Sequence, residues 1–485
     1  MVRRLHYKYI VAIVFMFGLF MDMVDSTVVN IAVPQLSKDF HASTASVEWT
    51  VTGYLLSLAV FIPAAGFLSD RFGTKKSFLT AMAIFLIASA LCGQARSLQE
   101  LIFFRFLQGM GGGMMTPVGT AMLSREFPGA ERAKASAIIS IPVVFGPTMG
   151  PVLGGYLIEY VSWRWIFYIN LPIGIIGFLF GLKYLTEHKE PYARTGFDFI
   201  GLVTGGVGAA LLLYALSEAA TSGWTSNKVV FGGLAGIALG AVFVWQELRA
   251  HPPMIDLSLF KRPLFTLGNA MIMPAFGVFS GFIFILTLYL QELQGRSPLE
   301  AGLIQAPSAI GTAISLPIAA RIYTRVGPRR MMIVGFTGAV LTMAPFAFLT
   351  ASSPAWIIVT FLTIRGLPFA FAMVAAQTII FGPIENDKQG PCSSAYNTLR
   401  QVAASFGVAL IATVAITRQH FYAAGGPVTT HAAELGYRDA YLACVALMVL
   451  PLFLVWFIND KKADTEMSRR LAMEPAGAAQ PSLSH

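Results

Sequence analysis

The sequence predicts an all-α integral membrane protein with fourteen spans and no sizeable soluble domain. Three observations carry this reading. The 485 residues are 55% hydrophobic and only 12% charged, about half the ~25% charged share of an ordinary soluble domain, with a mean hydropathy of +0.66. The apolar residues fall into runs of the ~20 residues that a helix needs to cross lipid. The basic residues between those runs alternate from side to side.

The runs lie near residues 9–30, 47–69, 77–95, 99–122, 133–158, 164–184 and 197–218, then 229–247, 264–290, 298–320, 331–350, 355–382, 394–417 and 440–459. The first follows a basic start, MVRRLHYKYI, as a signal peptide would. Acidic Asp22 and Asp25 come next, with no small-residue cleavage site, so it reads as a retained helix. Numbering the loops alternately places 24 Lys and Arg on the side of the N-terminus, among them Arg71, Lys75, Lys76, Arg329 and Arg330. The other side holds seven: Lys38, Arg96, Arg164, Lys228, Arg296, Arg418 and Arg438. By the positive-inside rule both termini are expected in the cytoplasm of a multi-pass protein of the inner (plasma) membrane. A missed or invented span would scramble the alternation after it. The tail after Asp460 has too few apolar residues for a core and is expected to be disordered.

Several function classes are disfavoured. The net charge of +9 sits in short loops between spans, which topology explains without nucleic acid. Cys92, Cys392 and Cys444 have no metal-binding spacing, and no two of the seven histidines pair as a zinc site would require. There is no GxxxxGK[ST] loop to cradle a nucleotide. The chain is read as a non-enzyme with no cofactor and no metal.

An internal echo divides the chain. With Gly73 of GFLSDRFGTKK (66–76) set against Gly327 of AARIYTRVGPRR (319–330), Arg71 falls on Arg325, and Lys75 and Lys76 fall on Arg329 and Arg330. The position of Asp70 is taken by Thr324. Spans 1–6 and 9–14 then form pseudo-symmetric halves, a layout that in transporters places substrate between them near the midplane. The expected divisions are a six-helix bundle at 1–190, a two-helix insert at 191–250, a second six-helix bundle at 251–459, and the tail at 460–485.

Polar residues inside spans are costly in lipid and point to function. On the first helix Asp25 lies about 60° to one side of Asp22, Ser26 about 40° to the other and Asn30 about 80° round. This polar arc is expected to line a cavity between the halves. A carboxylate there holds either a cationic substrate or a proton, so competition for it couples the two. Arg105 is the deepest basic residue of the first half, on one face with Gln108, Gly109 and Gly112. Gly146, Gly150 and Gly154 give the fifth span a smooth face, and Pro147 and Pro151 favour a bend. That helix is expected to pack against the opposite half. Arg365, Asn397 and Arg400 are the second-half candidates. Glu159 and Glu292, at outer helix ends, read as rim residues or proton acceptors. Asp70 is placed to meet the dipole at the start of a neighbouring helix.

GFLSDRFGTKK resembles the loop 2–3 signature of the major facilitator superfamily, and LIFFRFLQGMGGG (101–113) its fourth-helix motif. FGPTMGPVLGG (145–155) resembles the fifth-helix motif of proton-driven exporters, and VDSTVVNIAVP (24–34) the first-helix motif of drug:proton antiporters. WRWIFYINLPIG (163–174) and YLQELQGRSPLEAGL (289–303) are similar to stretches of the 14-helix, QacA/EmrB branch. Asp22 is an addition to the first-helix motif, which asks only for the acid at Asp25. The resemblance implies proton-coupled multidrug efflux of amphipathic, often cationic small molecules. It implies Arg105 working beside the helix-1 acids, and Gly66, Asp70, Arg71 and Gly73 forming an inside gate. The same machinery serving one metabolite, lipid or self-made antibiotic is the alternative. A periplasmic adaptor and outer-membrane channel are left open.

Overall fold

The computed structural model describes residues 7–127, 145–146, 149–188, 198–250, 253–384, 388–424 and 426–458. Its long helices are α1 (Tyr7–Asp39), α2 (Trp49–Phe72), α3 (Thr74–Gln94), α4 (Leu98–Glu126), α5 (149–160), α6 (Asn170–Tyr184), α7 (Phe199–Ser222) and α8 (Asn227–Glu247). They continue with α9 (Pro263–Leu288), α10 (Pro307–Val326), α11 (Pro328–Met343), α12 (Ala355–Phe381), α13 (Gln389–Tyr422) and α14 (Thr430–Leu454).

Among the described residues there is no strand, and twelve helices are long and apolar enough to cross a membrane. At 29 residues α4 is also long enough, but it is less apolar because it carries Arg105, Gln108 and a glycine run. The fifth expected span lies mostly outside the described residues, so the spanning helices number twelve to fourteen. Helix ends overrun the hydropathy limits. α1 continues to Asp39 and α13 starts at Gln389, because helical hydrogen bonding persists past the lipid core, where Lys38 and Asp39 meet water.

Helix starts are set by local chemistry. Ser97 accepts a hydrogen bond from the Glu100 amide, and Glu100 reaches back to the Arg96 amide, so the first turn of α4 is capped. Ser226 and Thr429 cap α8 and α14 in the same way, and Ser297 with Glu300 forms a capping box on a short helix, Pro298–Gln305, that leads into α10. At the basic end, α2–α3 and α10–α11 turn on Gly73 (φ 95°) and Gly327 (φ 81°), a conformation that excludes most side chains. The two glycines aligned by the internal echo therefore make the same turn.

The packing repeats as well. α1 packs on α4 and α6, α2 on α4, and α3 on α4 and α6; eight helices later α9 packs on α12 and α14, α10 on α12, and α11 on α12 and α14. Glycines bring the backbones together. A Cβ on Gly109 would stand 2.6 Å from the Tyr54 carbonyl oxygen, and one on Gly111 2.6 Å from the Phe85 amide nitrogen. Gly146, Gly150 and Gly154 lie along Met23, Thr27 and Val28 of α1. Their partner is thus a helix of the same six, which corrects the expectation that this face packs on the opposite half. Gly155 is the α5 glycine that reaches across, to Pro298 and Leu299, where Gly302 meets Pro151 and Val152 in return. Pro147 lies outside the described residues.

α7 and α8 pair with each other and are the least enclosed of the twelve apolar helices, 22% and 11% buried. This places them at the periphery, with α7 resting on α2 and α13. The first and last six helices meet chiefly where α2 lies on α13; there the Ser405 hydroxyl donates to the Thr52 carbonyl at 2.9 Å. Further bonds join them at the end remote from the basic turns. Gln291 donates to the Ile31 carbonyl (2.9 Å), Thr44 to Glu292 (3.3 Å), and the Leu299 amide to Glu159 (3.2 Å).

Candidate functional site

The two acids of α1 are both buried, Asp22 4% and Asp25 0% exposed, but they occupy different surroundings. Their ~60° separation around the helix is enough to aim them at different neighbours.

Asp25 points into the interior of the first six helices. Its Oδ2 pairs with Arg105 Nη1 of α4. Its Oδ1 accepts from Gln108 Nε2 at 2.9 Å and from Asn170 Nδ2 of α6 at 3.1 Å. Gln108 and Asn170 also donate to the Ser89 hydroxyl of α3 (3.2 and 3.1 Å), and that hydroxyl donates to the Phe167 carbonyl at 2.9 Å. Arg105 is held on every side: Nε donates to the Thr50 carbonyl (3.0 Å), Nη1 also to Gln108 Oε1 (2.8 Å), and the guanidinium lies 3.9 Å above the Tyr54 ring. A buried ion pair survives in apolar surroundings only when its remaining hydrogen-bonding capacity is met, and here α3, α4 and α6 meet it. The arc therefore does not line one cavity with both acids, because Asp25 belongs to a closed network inside one bundle.

Asp22 faces the other way. Tyr54 OH of α2 donates to its Oδ1 at 2.6 Å, and Thr116 of α4 donates more weakly to its Oδ2 at 3.5 Å. Both partners are neutral. Among the described residues Asp22 makes no ion pair with Arg400 of α13 or with any other cation. Asp22 thus stands beside α2, the helix of the first six that lies on α13.

Asn30 makes one long bond of 3.5 Å to the Ser26 carbonyl, and its Oδ1 is buried without a partner. At the basic end, Gly73 makes the positive-φ turn, Gly66 has open space beside it, and Arg71 lies over Phe67 and Phe72 at 5.9 and 6.0 Å. Asp70 ends the same helix, yet the carboxylate on the first amides of α3 belongs to Glu187, which accepts from Lys75 N (3.0 Å) and Lys76 N (3.2 Å). Helix dipoles draw carboxylates to such starts, and a residue 112 positions along the chain fills this one. Arg365 is buried against the rings of Phe282 and Phe279 at 4.1 and 5.1 Å. Asn397 bonds its own helix at Ser393. Glu292 accepts from Thr44 and Tyr437, and Glu159 from Leu299; both are exposed rim groups, as expected, that also take part in the contacts at the remote end.

The structure brings Asp22, Asp25 and Arg105 together and leaves Arg365, Asn397 and the basic-end turn apart from them. The partners that sequence reading passed over are Tyr54, Ser89, Thr116 and Asn170. Each is a polar group in an apolar run, which was the available signal, and Asn170 sits inside the WRWIFYINLPIG stretch.

A bundle of membrane-crossing helices with one six-helix arrangement repeated is the layout of many membrane transporters. The sequence profile of the Major Facilitator Superfamily matches residues 15–408, and the chain belongs to that superfamily. It is 34% identical to the multidrug resistance protein B homolog of Mycobacterium tuberculosis, over 81% of this chain and 74% of that one. It is 32% identical to the putative multidrug resistance protein MdtD of Yersinia pestis, over 94% and 96%, and to the uncharacterized MFS-type transporter YhcA of Bacillus subtilis, over 90% and 82%. Among solved structures the fold resembles a bacterial homologue of the human lysosomal transporter Spinster in its inward-facing, unoccupied conformation. That match has a TM-score of 0.67 at 17% identity and covers 96% of this chain and 98% of that one.

Proposed function

We infer that this protein is a proton-coupled exporter of amphipathic, often cationic compounds, working by alternating access in the inner membrane with both termini cytoplasmic. The observation that carries the reading is the division of labour on α1. Asp22 stands at the junction of the two sets of helices with only neutral partners, so it is the carboxylate that a cationic substrate or a proton takes in turn. Asp25, locked to Arg105, ties the position of α1 to α4 and α6. Residues 1–190 and 251–459 act as the two rocking halves, and 191–250 as a peripheral insert. Gly66, Asp70, Arg71 and Gly73 form the gate at the basic, cytoplasmic end; the Glu159, Gln291 and Glu292 contacts join the two halves at the opposite end. The names of the Mycobacterium and Yersinia relatives support a multidrug range. The test is uphill extrusion of a cationic dye from proteoliposomes under an imposed pH gradient. Wild type should extrude it and Asp22→Asn should not; unchanged extrusion by Asp22→Asn rejects the assignment.

A further inference from the structure

Arg400 is half-buried on α13, inside the span Gln389–Tyr422. Among the described residues no carboxylate stands within ion-pair distance of it. An arginine stays charged in proteins, and an unpaired charge inside a bilayer span is expensive. Its guanidinium rests over the Phe276 ring at 5.2 Å. Phe276 meets Phe369 edge-on at 6.2 Å, and Phe369 stacks on Phe279 at 5.0 Å with 15° between the planes; all three rings are half-buried. On the other side of the α2–α13 seam Tyr54 and Thr116 hydrogen-bond Asp22, and Thr52, on α2 beside Tyr54, accepts from Ser405, which follows Arg400 on α13. Among the described residues, an acid on the first six helices and a guanidinium on the last six thus lie on either side of the α2–α13 seam with no ion pair between them, the guanidinium beside an aromatic wall.

We propose that this is a cargo subsite for zwitterionic aromatic amphiphiles, whose cationic group sits at Asp22, whose carboxylate is taken by Arg400, and whose ring system lies on Phe276 and Phe369. The inference rests on the export reading above and narrows it. A purely cationic cargo satisfies Asp22 and leaves Arg400 uncompensated. A zwitterion satisfies both, and guanidinium–carboxylate bonds are among the stronger directional contacts a binding site can make. A proton arriving at Asp22 then removes half of the hold on the cargo while Arg400 retains the other half.

Rhodamine B and its ethyl ester share one ring system and differ in a single carboxylate, so their binding to the purified full-length protein, read by fluorescence polarisation at pH 7, isolates that contact. Wild type should bind the zwitterion about tenfold more tightly than the ester, the scale of one hydrogen bond to a charged group. Arg400→Gln should erase the difference by weakening rhodamine B alone, with ester binding as the check on folding. Arg400→Lys should keep part of the preference. An unchanged ratio in Arg400→Gln overturns the subsite, as does a wild-type preference for the ester or no binding of either dye. If Arg400→Gln loses both dyes, Arg400→Lys decides: equal binding of the two dyes there overturns it. These measurements need no gradient. Failure of wild type to extrude the ester under a pH gradient sinks the export reading instead, whatever the binding ratio.

Discussion

Replacing Arg105 by methionine removes the only cation in contact with Asp25 among the described residues and little volume. Gln108 and Asn170 still donate to Oδ1 at 2.9 and 3.1 Å, but Oδ2 loses its partner in a site with no measurable exposure. Breaking a buried pair from one side costs about 3–5 kcal/mol, whereas neutralising both members together is often harmless. Arg105→Met and Asp25→Asn should each lower the unfolding free energy by about that amount, with losses toward the smaller figure for Asp25→Asn because Thr50 and Gln108 still receive the guanidinium. The double variant should lose about 3 kcal/mol less than the sum of the two single losses, a coupling energy at the upper end of the range for residues in one network. Unfolding in mixed detergent–SDS micelles, read by tryptophan fluorescence, measures the cycle. Strictly additive losses would mean that the two side chains do not act as a pair, and the closed network inside the first bundle would be refuted.

Two further perturbations act at the ends of the molecule. Glu187→Ala strips the carboxylate from the Lys75 and Lys76 amides and should lower stability by about 0.5–2 kcal/mol, as loss of a helix cap does, while the order of dye affinities stays as in wild type; a reordered dye profile would show that the cap is part of the cargo site. Removing Gln291 and Glu292 side chains together (Gln291→Ala with Glu292→Ala) deletes two bonds between the sets at the remote end, each worth about 0.5–1.5 kcal/mol. Labelling of Asn30→Cys by an impermeant maleimide from that end should rise about tenfold, against the low background of Cys92, Cys392 and Cys444, which are buried; unchanged labelling argues that these bonds do not hold the end shut.

The helical architecture was legible because lipid imposes it. A span must be apolar for about 20 residues, and loop charges alternate, so run length and charge sidedness predict fourteen spans, of which the described residues include twelve long apolar helices and the less apolar α4. The internal echo was legible because only glycine tolerates the turn at residues 73 and 327. What periodicity did not reveal is which neighbour each polar side chain meets. Asp22 and Asp25 share an arc, and only the positions of α2, α3, α4 and α6 around α1 decide that one faces Tyr54 and the other Asn170. The same holds for the fifth-helix glycines. Their spacing predicts a close helix contact, and the identity of the partner, α1 rather than the opposite half, follows from tertiary packing alone. Glu187 was invisible for a further reason: a cap supplied from 112 residues away leaves no local pattern.

Asn170 offers the sharpest separation of structural from coupling roles in this network. It is neutral, 1% exposed, and spends both amide hydrogens, one on Asp25 and one on Ser89 at 3.1 Å each. Asn170→Ala removes one bond to a charged group, about 1.5–3 kcal/mol, and leaves the ion pair in place, so extrusion should persist with an unchanged pH profile in a less stable protein. Asn170→Asp keeps the shape but turns a donor into a second acid. Two carboxylates at hydrogen-bond distance around a single guanidinium cannot both stay charged without cost, and they share a proton. Extrusion by this variant should therefore be confined to a more acidic range than wild type, and Asn170→Gln, which restores the amide, should not show that confinement. The pH dependence of dye extrusion from proteoliposomes distinguishes the three. If Asn170→Asp follows the wild-type profile, the carboxylates at positions 170 and 25 do not share a proton, and the contact between these two side chains in the closed network is refuted.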